Sequence, residues 1–343
     1  MRKEDKLKAM EVRSYIKNAK RILLHCHPFS DPDSVGSVLA MREFLLSQGK
    51  EVTAISGDSG YPKTLERLNL KEKILDLNYF QIKVEEFDLF IILDGSSKAQ
   101  ISRIADIEFP KGMKTIVIDH HKTNEGFANV NLIIEDCAST THILYELFNL
   151  WGVKISKEMA LYLFIGLFAD TGGFKYLNTT PDVLSIAANL ARINPEYHQV
   201  IFDIENSKTP LELEMTSLAL SSIKKYFGGK VVFTSIPYEI IKRKNLSREE
   251  ALEGLIPNIL RSVIGWEIVA SLVEVEKGET IVSLRTRNEK IYDVSKIAMN
   301  TGVNGGGHPG AAGTTIMKDL KNAQLDLIDS IEKLYAEEIR KSS

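Results

Sequence analysis

Residues 115–121 read Thr-Ile-Val-Ile-Asp-His-His, and residues 89–94 read Leu-Phe-Ile-Ile-Leu-Asp. Each is a short aliphatic and β-branched run that stops on ionisable groups. Runs this short, apolar at every position, predict strands buried on both faces, as in a parallel sheet. A third run of this kind, Ile22-Leu23-Leu24, leads through Cys26 into His27-Pro28-Phe29-Ser30-Asp31-Pro32-Asp33. Between the runs lie helical patterns: an opening amphipathic stretch at 3–20, and Ser34 to Gln48 with Gly49 as its stop. A further strand is expected at Val52 to Ile55, and helices at Ser139–Leu150, Lys157–Asp170 and Pro181–Arg192. Strands alternating with helices predict an α/β fold whose mostly parallel sheet carries helices on both faces.

Residues Pro210 to Tyr226 read as a glycine-free helix suited to a connector. Gly228-Gly229 then opens a smaller α/β unit, with strands expected at Val231–Ser235, Glu267–Val275 and Thr280–Arg285 and a last helix near Leu320–Ile339. A chain of 343 residues is long enough for two domains. The expected division is 1–200, a connector at 201–226, and 227–343, with an active-site cleft between the two domains.

Composition narrows the class. No apolar run approaches the roughly 20 residues needed to cross a bilayer, and the charged first 21 residues lack a signal-peptide core. Two cysteines, Cys26 and Cys137, fit a reducing cytoplasm and small core positions. A net charge of −3 argues against a protein that grips long duplex DNA, but not against a small anion held locally.

The expected strand ends gather chemistry. In open α/β sheets the ligand crevice lies outside the carboxyl ends of the strands. His27, Asp31 and Asp33 follow one strand, Asp94 ends another, Asp119, His120 and His121 end a third, and Asp170 closes a helix. Any one such aspartate is more simply a turn former or helix cap. Together they would repel one another unless cations compensated. Two divalent ions bring four positive charges against Asp31, Asp33, Asp94 and Asp170. A histidine and carboxylate set without thiolates suits Mn²⁺ best, with Mg²⁺, Co²⁺ or Zn²⁺ as alternatives.

These motifs resemble the DHH phosphoesterases. Asp119-His120-His121 is similar to the signature of that family, and His27 with Asp31 and Asp33 to its His then D-x-D motif. Asp94 matches its lone strand-end aspartate, and Asp170-Thr171-Gly172-Gly173-Phe174 its D-T-G-x-F. The departures, Ser30 before the first aspartate and Gly95-Ser96-Ser97 after Asp94, spare every ligand position and bear on substrate preference. The resemblance implies that His27 and Asp31 hold one metal, that Asp33, His120 and Asp170 hold the other, and that Asp94 bridges them. It implies that Asp119 orients a ligand and that His121 contacts phosphate or gives a proton to the leaving oxygen. Two metals about 4 Å apart would activate a bridging hydroxide for in-line attack on phosphorus.

The second unit carries Arg285 and Arg287, then Gly305-Gly306-Gly307-His308 and Ala311-Ala312. Successive glycines let backbone amides approach an anion, a helix opened by the alanines would favour one, and an arginine fork suits phosphate. The glycines alone read more simply as a tight turn. With the arginines and His308 they resemble the substrate-binding domain that accompanies DHH domains. Phe174 and Tyr176 could stack on a base or pack in the core, and the basic residues at 224–244 read as a solvated face.

Within the family the chain is most similar to the group of oligoribonucleases that also act as 3′-phosphoadenosine 5′-phosphate phosphatases. It is shorter than the RecJ-type exonucleases. The expected partners are short RNA or a mono- or dinucleotide substrate, with a homodimer allowed and no membrane. The enzymatic alternative is a cyclic or linear dinucleotide phosphodiesterase. The alternative from another class is a nucleotide-binding regulator without activity, which the full ligand set disfavours.

Overall fold

The computed structural model describes residues 1–28, 30–58, 61, 65 and 70–340, without the side chains of 71 and 304. The chain folds into two compact units, residues 1–207 and 208–343.

The first unit runs α1 (Lys3–Asn18), β1 (Arg21–His25), α2 (Pro32–Ser47), β2 (Glu51–Ile55), β3 (Leu89–Leu93), β4 (Lys114–Asp119) and β5 (Val130–Ile133). Helices α3 (Thr140–Leu150), α4 (Lys157–Asp170), α5 (Pro181–Ile193) and α6 (Tyr197–Glu205) complete it. The five strands are all parallel, in the order β2-β1-β3-β4-β5. Every residue of β3 is buried, which its unbroken apolar run requires. One face of the sheet packs Ile22, Leu24, Ile91 and Ile116 against α1, α2, α3 and α4. The other packs Leu23, Phe90, Ile92 and Val117 beneath the segments 79–87 and 101–109 that flank β3.

The strand order reverses between β1 and β3, whose neighbours in sequence leave in opposite directions. This is the switch point at which such sheets leave a crevice beyond the strand ends. Helices α2 and α4 approach closely there, because a Cβ at Gly36 would collide with the Tyr162 carbonyl and one at Gly166 with the Asp33 carboxylate.

The second unit runs α7 (Pro210–Ser221), β6 (Lys224–Tyr226), β7 (Val231–Ile236), α8 (Tyr238–Lys244), α9 (Arg248–Leu252), α10 (Pro257–Arg261), β8 (Ile268–Glu276) and β9 (Glu279–Thr286). It ends with α11 (Val294–Thr301), β10 (Val303–His308), β11 (Ala311–Ile316) and α12 (Leu320–Arg340). The sheet order is β10-β11-β9-β8-β7-β6, with β7 and β8 parallel and the other pairs antiparallel. One face packs Phe233, Ala270 and Leu284 against α11 and α12. The opposite face packs Val232, Val269 and Val273 against α7 to α10.

Two sequence expectations are corrected here. The helix expected to Tyr226 stops at Ser221, and Lys224–Tyr226 form a short edge strand on β7. The Ser222 hydroxyl bonds the Ala219 carbonyl and accepts from the Ser235 amide, so the chain turns onto the sheet. Ala311-Ala312 opens no helix. It begins β11, and the three glycines are a strand rather than a loop, joined to it through Pro309-Gly310. Tertiary packing overrides weak propensity: a side chain at Gly305 would collide with the Ala298 carbonyl of α11, and one at Gly307 with β11.

Candidate metal centre

Strand β1 ends at His25, and His27 follows it directly at the switch point. Its Nδ1 lies 2.9 Å from the Pro28 carbonyl, an acceptor only, so Nδ1 carries the proton. The other ring nitrogen, Nε2, lies 3.4 Å from Asp94 Oδ2 and 3.8 Å from Asp31 Oδ1. Asp31 is indeed the N-cap of α2, its Oδ1 accepting from the Asp33 and Ser34 amides at 3.0 Å. The cap fixes where α2 begins, and so where Asp33 stands in its first turn.

Asp33 is fully buried. Its carboxylate receives the Thr140 amide at 2.7 Å, the Thr141 amide at 3.0 Å and the Thr141 hydroxyl at 2.7 Å. The positive end of α3 thus cradles an anion. Thr140 also donates to Asp94 Oδ1 at 3.2 Å. Neither threonine is singled out by sequence reasoning. The signal was Ser139-Thr140-Thr141 at a helix start, but its service to Asp33 is a contact between distant segments.

Asp94 follows β3 with φ 58°, a left-handed conformation that costs a non-glycine residue of order 1–3 kcal/mol. The turn aims its carboxylate between the histidines. Oδ1 lies 3.6 Å from His120 Nε2 and 3.5 Å from His121 Nδ1. His120 Nε2 is also 3.3 Å from Asp170 Oδ2 at the end of α4, yet it is buried without a hydrogen-bond partner.

Asp119, buried at the end of β4, accepts from His121 Nδ1 at 2.8 Å, from the His120 and His121 amides, and from Asn124 at 2.7 Å. It therefore orients the His120 backbone and the His121 ring, and leaves His121 Nε2 directed elsewhere. Asn178 donates to the Asp170 and Ala138 carbonyls, tying the end of α4 to the entry of α3. Asn124 and Asn178 are further supporting residues that sequence reasoning did not assign.

The ligand-bearing atoms fall into overlapping groups that could each hold a metal ion: His27, Asp31 and Asp94; Asp33, His120 and Asp170; and Asp94, Asp119, His120 and His121. The donor chemistry fits divalent cations. Burial, then the charges of Asp94 and Asp31, push the Asp33 carboxyl up to about 8. Burial with Asp33 and Asp94 raises Asp170 strongly. A positive ion would relieve both and give the orphaned His120 Nε2 a partner.

Protons take the place of such ions. Burial opposes charge on His27, but the Asp31 and Asp94 carboxylates outweigh it and raise it to about 10. The hydrogen bond to Asp119 raises His121 to about 9. Without metal, the folded chain keeps protons on Asp33, His27 and His121 that the unfolded chain releases at lower pH. Its stability falls as pH rises through that window. Divalent ions held by Asp33 and His27 would compete with the protons there, so the rise in Tm on adding Mn²⁺ should be larger at pH 8.5 than at pH 6.5. Thermal melts at both pH values check this, and an equal or smaller rise at pH 8.5 contradicts it.

In the second unit the pairings His308–Ala311–Arg285 and Gly306–Gly313–Ser283 set two rows on one face of the sheet. Arg285 and His308 thus flank a floor of small residues. A Cβ on Gly306 would meet nothing within 4 Å, so the fold does not require that glycine. Arg287 is engaged elsewhere, its Nη1 donating to the Arg261 and Val263 carbonyls. Of the basic residues at 224–244, Lys244 pairs with Glu214 and Lys230 donates to the Ile339 carbonyl at 2.7 Å. Among the described residues no helix is long and apolar enough to cross a membrane.

The parallel-sheet unit and the mixed-sheet unit each match a domain of one phosphoesterase family. The chain belongs to the DHH family: residues 21–167 match the DHH family N-terminal domain and residues 228–337 the DHHA1 domain. It is a phosphoesterase hydrolase.

Among its relatives is the "Bifunctional oligoribonuclease and PAP phosphatase NrnA" of Thermus thermophilus, 29% identical over 324 residues, 94% of this chain and 92% of that one. The protein of the same name from Bacillus subtilis is 25% identical over 86% of this chain and 89% of its own. The crystal structure of an exopolyphosphatase-related protein from Bacteroides fragilis shares the fold, with a TM-score of 0.87 at 23% identity over 98% of both chains.

Proposed function

We propose that this phosphoesterase hydrolyses short nucleotides, as an oligoribonuclease and 3′-phosphoadenosine 5′-phosphate phosphatase, with two divalent metal ions of which Mn²⁺ suits the site best. The observation that carries the two-ion reading is the grouping of ligand atoms into His27, Asp31 and Asp94 on one side and Asp33, His120 and Asp170 on the other. Asp94 reaches both, lying 3.4 Å from His27 and 3.6 Å from His120. The names of the relatives from Thermus thermophilus and Bacillus subtilis support the substrate class.

When bound, two such ions lower the pKa of a water and hold charge on a phosphoryl group. The chain supplies the rest. Asp33 is fixed by the α3 amides and Asp94 by its turn, so the ligand positions are set before substrate arrives. His121 keeps its Nδ1 proton on Asp119 and offers Nε2 to the leaving oxygen as a proton donor. The first unit, 1–207, would carry the chemistry and the second, 208–343, bind substrate. There Arg285 and His308, with the Gly305-Gly306-Gly307 strand, would hold the phosphate that fixes the scissile bond. Both arginines are engaged through Nη1, Arg285 with the Leu284 carbonyl and the Ser283 hydroxyl and Arg287 with two carbonyls, and the row that Arg285 shares with His308 makes it the better candidate.

A net-acidic protein offers few phosphate contacts beyond one compact site, so the rate should fall as RNA lengthens past a few nucleotides. The test is a Mn²⁺-supplemented panel of 3′-phosphoadenosine 5′-phosphate, linear dinucleotides, RNA of increasing length, single-stranded DNA and cyclic dinucleotides. Hydrolysis confined to the first two and the shortest RNA is expected. Rates that climb steadily with length would overturn the reading in favour of a processive exonuclease. Turnover of cyclic dinucleotides alone would overturn it in favour of a dinucleotide phosphodiesterase.

A further inference from the structure

Asp94 stands on a left-handed turn, and that turn is held by two routes. One comes from β4 and the chain after it. The Asp94 amide donates to the Ile118 carbonyl at 3.0 Å, Asn124 donates to the Gly95 carbonyl at 3.1 Å, and the Glu125 amide donates to the Ser96 carbonyl at 2.9 Å. The other is Gln100. Its Oε1 accepts from the Ser96 amide and also from the Ser96 hydroxyl, the latter at 3.0 Å. Ser96, one of the departures from the family motif, is thus engaged in holding the turn.

Gln100 is itself fixed. It closes a short 3₁₀ turn, Lys98–Gln100, with its amide on the Ser97 carbonyl at 3.0 Å. Its carbonyl lies 3.0 Å from His25 Nε2, and a carbonyl only accepts, so Nε2 carries the proton. His25 is fully buried in β1, two residues before His27, and its ring makes an edge contact with Phe90 of β3 at a centroid distance of 5.2 Å. Gln100 is therefore anchored to the two strands that deliver His27 and Asp94, and its side chain reaches back four residues to Ser96.

A left-handed residue other than glycine persists only where its surroundings over-determine it. Gln100 Oε1 is what the Ser96 amide donates to, two residues beyond Asp94. Without that oxygen the amide and the hydroxyl lose their acceptor, and the turn is free to relax toward ordinary backbone angles. The Asp94 carboxylate would then leave the gap in which it lies 3.4 Å from His27 and 3.6 Å from His120. The amide nitrogen of Gln100 makes no hydrogen bond among the described residues, so its oxygen alone does this.

We infer that Gln100 is a positioning residue for Asp94: through Ser96 it holds the left-handed turn that keeps this carboxylate within reach of both metal positions. This rests on the proposed two-metal reading. It assigns the oxygen, so a carboxylate in the same place should serve and an aliphatic side chain of similar bulk should not.

The test compares wild type, Gln100→Leu and Gln100→Glu in two measurements that need no turnover. Calorimetric titration of chelated protein with Mn²⁺ should show affinity reduced about tenfold to a hundredfold in Gln100→Leu, the usual cost of losing a partner that orients a ligand. Gln100→Glu should bind Mn²⁺ at least as well as wild type. Hydrogen exchange at the Ser96 amide, followed in chelated protein, should be about tenfold faster in Gln100→Leu and unchanged in Gln100→Glu. Should Gln100→Leu not fold, Gln100→Asn, whose oxygen falls one methylene short, should show the same losses in smaller degree. Unchanged Mn²⁺ affinity in Gln100→Leu, an equal loss in Gln100→Glu, or unchanged exchange at Ser96 would each overturn the inference. A wild type that binds no Mn²⁺, with exchange at Ser96 still raised by leucine and not by glutamate, would support the hold on the turn and contradict the two-metal reading instead.

Discussion

Removing divalent metal should abolish turnover, and Mn²⁺ should restore it. The expected loss is complete because no other group in the cluster can take the metals' place: all six proposed ligands are carboxylates or imidazoles. Asp33 and Asp170 are carboxyls that burial and like charge drive toward protonation. Protons on that pair would neutralise the carboxyls but supply none of the positive charge that stabilises phosphoryl transfer. Dialysis against chelator, an assay on 3′-phosphoadenosine 5′-phosphate, and re-addition of Mn²⁺, Mg²⁺, Co²⁺ and Zn²⁺ in turn check it. Mn²⁺ should restore the most activity, because a mixed histidine and carboxylate set is borderline in softness. Full activity in metal-stripped protein contradicts the account.

Asp94→Ala should lower kcat at least a hundredfold, about 2.7 kcal/mol of transition-state stabilisation. It is the ligand with neighbours in both groups, 3.4 Å from His27 and 3.6 Å from His120, whereas Asp31 belongs with the first and Asp170 with the second. Its loss therefore disturbs both positions at once. The fold should survive, since alanine removes no apolar packing and relieves repulsion among the buried carboxylates, which offsets its poorer fit to the left-handed turn. Steady-state kinetics with circular dichroism and metal analysis separate the cases. An active Asp94→Ala enzyme with its metals bound would refute the bridging role.

The first unit was legible because parallel strands buried on both faces spell themselves as unbroken apolar runs. Leu89–Leu93 and Ile116–Ile118 could be read directly, and so could the ionisable groups that end them. The convergence of His27 and Asp94 follows from the strand order, which the pattern of alternating strands and helices already constrained. The second unit was less legible where packing overrides propensity. Gly305-Gly306-Gly307 carry no strand signal, and they become β10 because α11 and β11 leave room only for backbone at two of the three. Lys224-Lys225 read as the tail of a helix, but they pair with β7 as an edge where lysines are well tolerated.

The supporting residues of the centre were hidden for a different reason. Thr140 and Thr141 act on Asp33 across more than 100 residues, and nothing local marks them beyond a helix start. Phe174 turns inward onto Phe164 and Phe168 while Tyr176 stays half-exposed, through three successive positive φ angles that a sequence motif with two glycines permits but does not dictate.

The most direct measurement is the number of metal ions held per chain. Native mass spectrometry of the protein at saturating Mn²⁺, repeated with Asp94→Ala, counts them without reference to any substrate. The account predicts two Mn²⁺ per wild-type chain and fewer than two, or much weaker binding of both, in the variant. One ion or none in wild type, at concentrations that support hydrolysis, would contradict it.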